Sequence, residues 1–108
     1  MKTNIWALKR DNDIKHFMLE VERILGNQAF LIHASEDGHP KSIELLSNED
    51  KRIKAYVFTF GQETGRFGLI LDYPVLEDNN LSSTETAYDD IGLENLIDLL
   101  AMHFDVSY

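Results

Sequence analysis

The chain has 108 residues, 44% of them apolar and 27% charged, and it contains no cysteine. That length fits one domain with one core, the composition argues against wholesale disorder, and the lack of cysteine removes disulfides, thiolate metal sites and a cysteine nucleophile together. The formal net charge of -9 disfavours phosphate backbones and anionic lipid headgroups as partners.

In chain order, Asn4 to Lys9 reads as a short strand with Trp6 and Leu8 on one face. Asp11-Asn12-Asp13 offers helix N-caps. Ile14, Phe17, Met18, Val21, Ile24 and Leu25 then recur at helical spacing, with Lys15, Glu20, Glu22 and Arg23 on the other side. Gly26-Asn27 supplies a left-handed residue to end that helix. Ala29 to Ala34, with Phe30, Leu31 and Ile32, reads as a buried strand, and Glu36-Asp37-Gly38-His39-Pro40 as a turn. Ser42 to Leu46 alternates Ile43 and Leu45 against Ser42 and Glu44, and Ser47 to Asp50 turns the chain. Lys51 to Phe60 alternates Ile53, Ala55 and Val57 with Lys54, Tyr56 and Phe58. Gly61 to Gly65 closes a hairpin. Arg66 to Tyr73 returns with Phe67, Leu69, Leu71 and Tyr73 on one face, and Pro74 ends the strand. Val75 to Tyr88 is polar and acidic and reads as a long surface loop. Asp89 or Asp90 then caps a second helix, whose stripe is Leu93, Leu96, Ile97, Leu100 and Phe104.

The order β-α-β-β-β-β-α, with short turns between consecutive strands, predicts an antiparallel meander of four to five strands. Two amphipathic helices cover one of its faces, giving a two-layer α+β domain spanning residues 1–108.

The charge is unevenly distributed along the chain. All ten Lys and Arg lie between Lys2 and Arg66, and the same span holds ten acids. From Phe67 onward there are nine acids and no Lys or Arg. The imbalance therefore sits in the C-terminal third. Such a field attracts cationic proteins and can speed their association by about 10–10³ at low salt.

Candidate catalytic groups are unconvincing beside it. His16, His33, His39 and His103 form no HExxH or other metal spacing. Asp72, Glu77, Asp78 and Asn79 lack the acid order and glycine of a calcium loop. Gly61, Gly65 and Gly68 precede no helix that could hold a phosphate. No serine sits in a GxSxG elbow. Trp6, Tyr56, Phe58 and Phe60 could stack nucleic-acid bases, but such a face needs Lys and Arg around its aromatics, so core packing is the expected role. The expectation is no catalysis, no metal and no cofactor. The partner surface is expected over Asp72, Glu77, Asp78, Glu85, Tyr88, Asp89, Asp90, Glu94 and Asp98, with Tyr88 as an aromatic anchor inside a charged rim.

In size, α+β pattern, absence of cysteine and clustered acids such as Glu77, Asp78, Asp89 and Asp90, the chain resembles the small acidic immunity proteins of bacterial toxin–immunity pairs, including those of contact-dependent growth inhibition. The resemblance covers the whole chain but rests on no signature motif. It implies a non-enzymatic cytoplasmic protein that binds one cognate basic toxin, offering carboxylates where a nuclease expects phosphates. It implies neither a nucleic-acid nor a membrane partner. Absence of a signal-like apolar run and of the ~18 apolar residues that span a bilayer agrees with that location. The alternatives are an adaptor module for a basic protein segment, or a small ligand-binding domain with its site between helix and sheet.

Overall fold

The computed structural model describes residues 5, 8–26, 29–33, 39–77 and 80–106, of which 75–77 and 80–84 by backbone alone. Its elements are helix α1 (Asn12–Leu25), strands β1 (Leu31–His33), β2 (Ser42–Leu46), β3 (Lys54–Phe58), β4 (Phe67–Glu77) and β5 (Asn80–Ile91), and helix α2 (Leu93–His103). The five strands form one antiparallel sheet in the order β1-β2-β3-β4-β5. The expected α+β class is therefore correct, with a different first element and a different fourth connection.

Period-two alternation decides which face each strand residue occupies. Ile43 and Leu45, Ala55 and Val57, and Leu69 and Leu71 are buried on one face. Against them lie Ile14, Phe17, Met18 and Val21 of α1 and Leu96, Ile97, Leu100 and Ala101 of α2, forming one core. Both helices thus cover the same face. Among the described residues the other face carries no helix, and its Glu44, Leu46, Lys54, Tyr56, Phe58, Ile70 and Asp72 are all only partly buried.

The helix ends follow local chemistry. Asp11 caps α1 only by position, because its carboxylate is ion-paired with Lys41 at 3.0 Å. Gly26 ends that helix at φ 90, where a side chain would be strained, and returns its N–H to Glu22 O. Arg10 is buried and fastens the chain before α1 to the sheet: Nε donates to Ser42 O at 2.6 Å and Nη1 to Lys9 O at 2.8 Å.

Several expectations change, among them the strand end at Pro74, which β4 passes to reach Glu77, and the Lys51 to Phe60 strand, which is shorter. Ile5 lies in a short 3₁₀ turn and Leu8 and Lys9 in a bend, so the described part of Asn4 to Lys9 is no strand; Trp6 falls outside the described residues. Ile5 still reaches the core, at 3% exposure. The strand expected over Ala29 to Ala34 is shorter and is an exposed edge, with Leu31 and His33 facing solvent on the open face. Phe30, just before it, packs on Phe104 with ring centroids 5.4 Å apart. Val75 to Tyr88 is no loop: its described residues continue β4 and form most of β5, in register from Phe67↔Ile91 to Glu77↔Asn80. Asp78 and Asn79, between the two strands, lie outside the described residues. Finally, α2 is capped by Gly92, while Asp89 and Asp90 belong to β5.

The register explains how Pro74 sits inside β4. β3 pairs with β4 only as far as Lys54↔Asp72, so from Tyr73 onward β5 is the one neighbour of β4 among the described residues. A residue without an N–H is tolerated on such a vacated edge.

Candidate functional site

The open face of the sheet carries three of the acids expected to bind a partner. Asp72 and Glu85 are directly opposed by register, and Asp89 follows two pleats along β5 from Glu85, on the same face. Glu85 and Asp89 are exposed and Asp72 is half-buried. Like charges directly opposed on neighbouring strands are unfavourable by about 0.2–1 kcal/mol. Lys54 lies across from Asp72 on the other side, so one cation serves that row and Glu85 is at its outer end.

The same face carries a ring ladder. Tyr56 and Phe58 are 5.6 Å apart by centroid, Phe58 and Phe60 stack at 4.7 Å and 24°, and His39 lies 4.9 Å from Phe60. Tyr56, Phe58 and Phe60 were expected in the core. They alternate with Ala55 and Val57, which are buried at 0% exposure, so the rings must emerge on the side away from the helices. Gly68 stands opposite Phe58 in the register, and a Cβ there would fall inside the Phe58 ring. Glycine lets the ring cross β4. The alternation and the glycine that signal this ladder are both visible in the sequence once one face is assigned to the helices.

The other expected site residues are not gathered here. Tyr88 pairs with Leu69 on the helix side and packs half-buried against the core, on the face opposite Asp72 and Glu85. Glu94 and Asp98 are exposed on α2, in the layer behind the sheet, rather than continuing the acidic surface. Glu77 lies at the end of β4, paired with Asn80 by backbone register. Asp78 lies outside the described residues.

Asp90 has a different task. It sits at a β-bulge, where Asp89 and Asp90 occupy the interval that Gly68 fills alone on β4. Its φ is 50, a left-handed value that Asp tolerates better than most residues. Its carboxylate accepts from the Glu63 N–H at 2.9 Å, and its own N–H donates to Gln62 Oε1 at 2.6 Å. The extra residue brings Ile91 back onto the helix side opposite Phe67, and the two bonds clamp the β3–β4 turn to the end of β5.

The histidines serve separate purposes. His33 Nδ1 is 3.0 Å from Glu44 Oε1, directly across the β1–β2 ladder. His103 is buried at the end of α2, edge-on to Tyr73 at 4.5 Å. Its Nε2 donates to Lys54 O at 2.6 Å, and its Nδ1 is buried without a partner. Burial pushes the His103 pKa below its usual value, against the opposing effects of the Lys54 carbonyl and the Asp72 charge. Among the described residues, no group of three or more His, Asp or Glu is arranged to hold a metal ion.

By architecture this is a two-layer α+β protein whose antiparallel sheet is covered by two helices on one side and, among the described residues, by none on the other, and none of its described helices is long and apolar enough to cross a membrane. Comparison of the chain with protein-family models, with curated proteins and with solved structures finds no match in any of the three.

Proposed function

We propose that the chain is a non-enzymatic binding protein that receives a basic protein partner on the open face of its sheet, and that this partner is a cognate nuclease-type toxin. The observation that carries the reading is that Asp72, Glu85 and Asp89 share the sheet face opposite the two helices, beside the Tyr56–Phe58–Phe60 ladder. Carboxylates next to aromatic rings suit arginine, whose planar guanidinium can pair with an acid and lie against a ring. A cation brought to Glu85 also relieves its opposition to Asp72. A nuclease groove lined for phosphate is a basic surface of the required sign. Glu94 and Asp98, on the helix layer, add to the long-range field that steers such a partner without touching it.

The toxin half of the reading rests on the resemblance to immunity proteins; the open-face half rests on the geometry. A growth assay with a basic nuclease domain encoded beside this gene tests both. Cells expressing that domain should survive with the native chain and die with Glu85→Lys/Asp89→Lys. Calorimetry should show affinity falling by about tenfold or more at low salt in that variant. Glu94→Lys/Asp98→Lys should still protect. Protection by the first variant and loss in the second would move the interface to the helix layer. A tight, salt-sensitive complex with a basic segment of a protein that is not a toxin would favour the adaptor reading instead.

A further inference from the structure

The sheet has two edges of very different length. β1 is three residues long, while β5 runs for twelve, from Asn80 to Ile91. β5 pairs with β4 on one side, and among the described residues no strand lies on its other side. Glu85, Thr86, Ala87 and Asp89 are all exposed. Glu85, Ala87 and Asp89 lie on the open face and Thr86 on the helix side, so among the described residues this stretch is uncovered except at Tyr88, which packs half-buried against the core. Its C-terminal end is closed, where Asp90 is bonded to Gln62 and Glu63. A row of unpaired N–H and C=O groups on an exposed edge is a template for another extended chain.

Charge decides which chain. A second copy, paired antiparallel about Ala87, would oppose the Glu85 of each copy to the Asp89 of the other. Parallel in-register pairing would set each acid against itself. Both are unfavourable, and each copy brings a net charge of -9. An extended cationic segment meets the opposite situation. Lys or Arg at positions four apart would stand beside Glu85 and Asp89 on the open face, with Ala87 leaving room between them. Asp72, in the next strand and the same row as Glu85, is within the compass of a long cationic side chain. The two residues facing the helix side would lie along Thr86 and the half-buried Tyr88 ring, which suits β-branched or apolar side chains.

We propose that the exposed edge of β5 accepts an extended basic segment of the partner by strand addition, with its cations against Glu85 and Asp89 and its apolar residues beside Tyr88. The proposal rests on the basic-partner reading above and adds the backbone to it, so the two can fail separately.

The probe is the capped peptide Thr-Lys-Val-Thr-Val-Lys-Thr, titrated into isotopically labelled protein at low salt and followed by amide chemical shifts. Shifts concentrated at residues 85–89 are expected. Methylating alternate backbone nitrogens keeps every charge but removes the hydrogen bonds in one of the two possible phases; one of the two methylated peptides should bind about tenfold or more weakly than its parent. Glu85→Lys/Asp89→Lys should weaken the parent peptide comparably, with an unchanged fold by circular dichroism. If both methylated peptides bind as tightly as the parent, strand addition is wrong and the electrostatic reading of the open face stands. If the peptide does not bind, or binds the charge-reversed protein equally well, the β5 site is wrong. Sedimentation showing a dimer whose contacts protect residues 85–89 would assign the edge to a second copy and also overturn the proposal.

Discussion

The two faces of the sheet are built from the same strands and obey different rules. On the covered face, Leu45, Val57 and Leu69 are completely buried and the neighbouring helices complete their packing. On the open face, one residue along each strand, stand Glu44, Tyr56, Phe58 and Ile70, all partly exposed. The covered face holds the fold together and leaves little room for change. The open face can carry a like-charged pair, Asp72 and Glu85, and a ladder of rings because the core does not depend on it. This division of labour is why the functional reading belongs on the open side.

The largest test of that contrast is a pair of adjacent truncations. Leu69→Ala should cost about 2–5 kcal/mol in urea unfolding, as deletions from a closed core do. Ile70→Ala, next in sequence and on the open face, should cost less than about half as much. Equal losses would mean that the open face is covered after all. Gly68→Ala probes a place where the open face is tightly packed. The added methyl collides with the Phe58 ring, and a loss of about 1–3 kcal/mol is expected. Combining it with Phe58→Ala should recover part of that loss, because the collision is gone.

Acid should act on the covered side. His103 has a folded-state pKa below the ordinary value of 6.5. Above that pH the imidazole is neutral in both states and contributes no pH dependence. As the pH falls below it, the unfolded chain takes up a proton that the buried Nδ1 resists, so stability declines until the folded-state pKa is passed. A thermal midpoint that falls between neutral pH and mildly acid pH, and falls less in His103→Gln, is the expected result. A midpoint with the same slope in both proteins would acquit His103.

The smallest effect has the most informative sign. Glu85→Lys replaces a like-charged opposition to Asp72 with an attraction, so stability should rise by about 0.2–1 kcal/mol while partner binding weakens. A variant that is both more stable and less active would mark Glu85 as a residue held for binding. Loss of stability instead would show that the opposition to Asp72 is already relieved in the native protein.

Much of this architecture is legible in single segments. The stripes from Ile14 to Leu25 and from Leu93 to Leu100 specify two helices with one apolar side each. The alternations through Ser42–Leu46, Lys54–Phe58 and the first half of β4 specify three half-buried strands. These signals are strong because each segment lies over the core, where burial writes its period into the residue types. The segment from Val75 to Tyr88 lies at or beyond the edge of that core. Its Glu85, Thr86 and Ala87 are exposed, no apolar alternation marks the segment as strand, and its Ser, Thr and Asn read as loop. Pairing with β4 supplies the order that burial does not.

By itself the sequence determined that the chain is α+β, that its strands follow one another antiparallel, and that its negative charge lies after Arg66. Only the tertiary structure decided how that charge is divided. Register puts Asp72, Glu85 and Asp89 on the open face, the bulge turns Asp90 into a clamp on the β3–β4 turn, and the packing of α2 behind the sheet carries Glu94 and Asp98 to the other layer. Charge is a property of residues taken one at a time, whereas a shared face depends on pairing between strands distant in sequence, and a single extra residue in one of them changes the outcome.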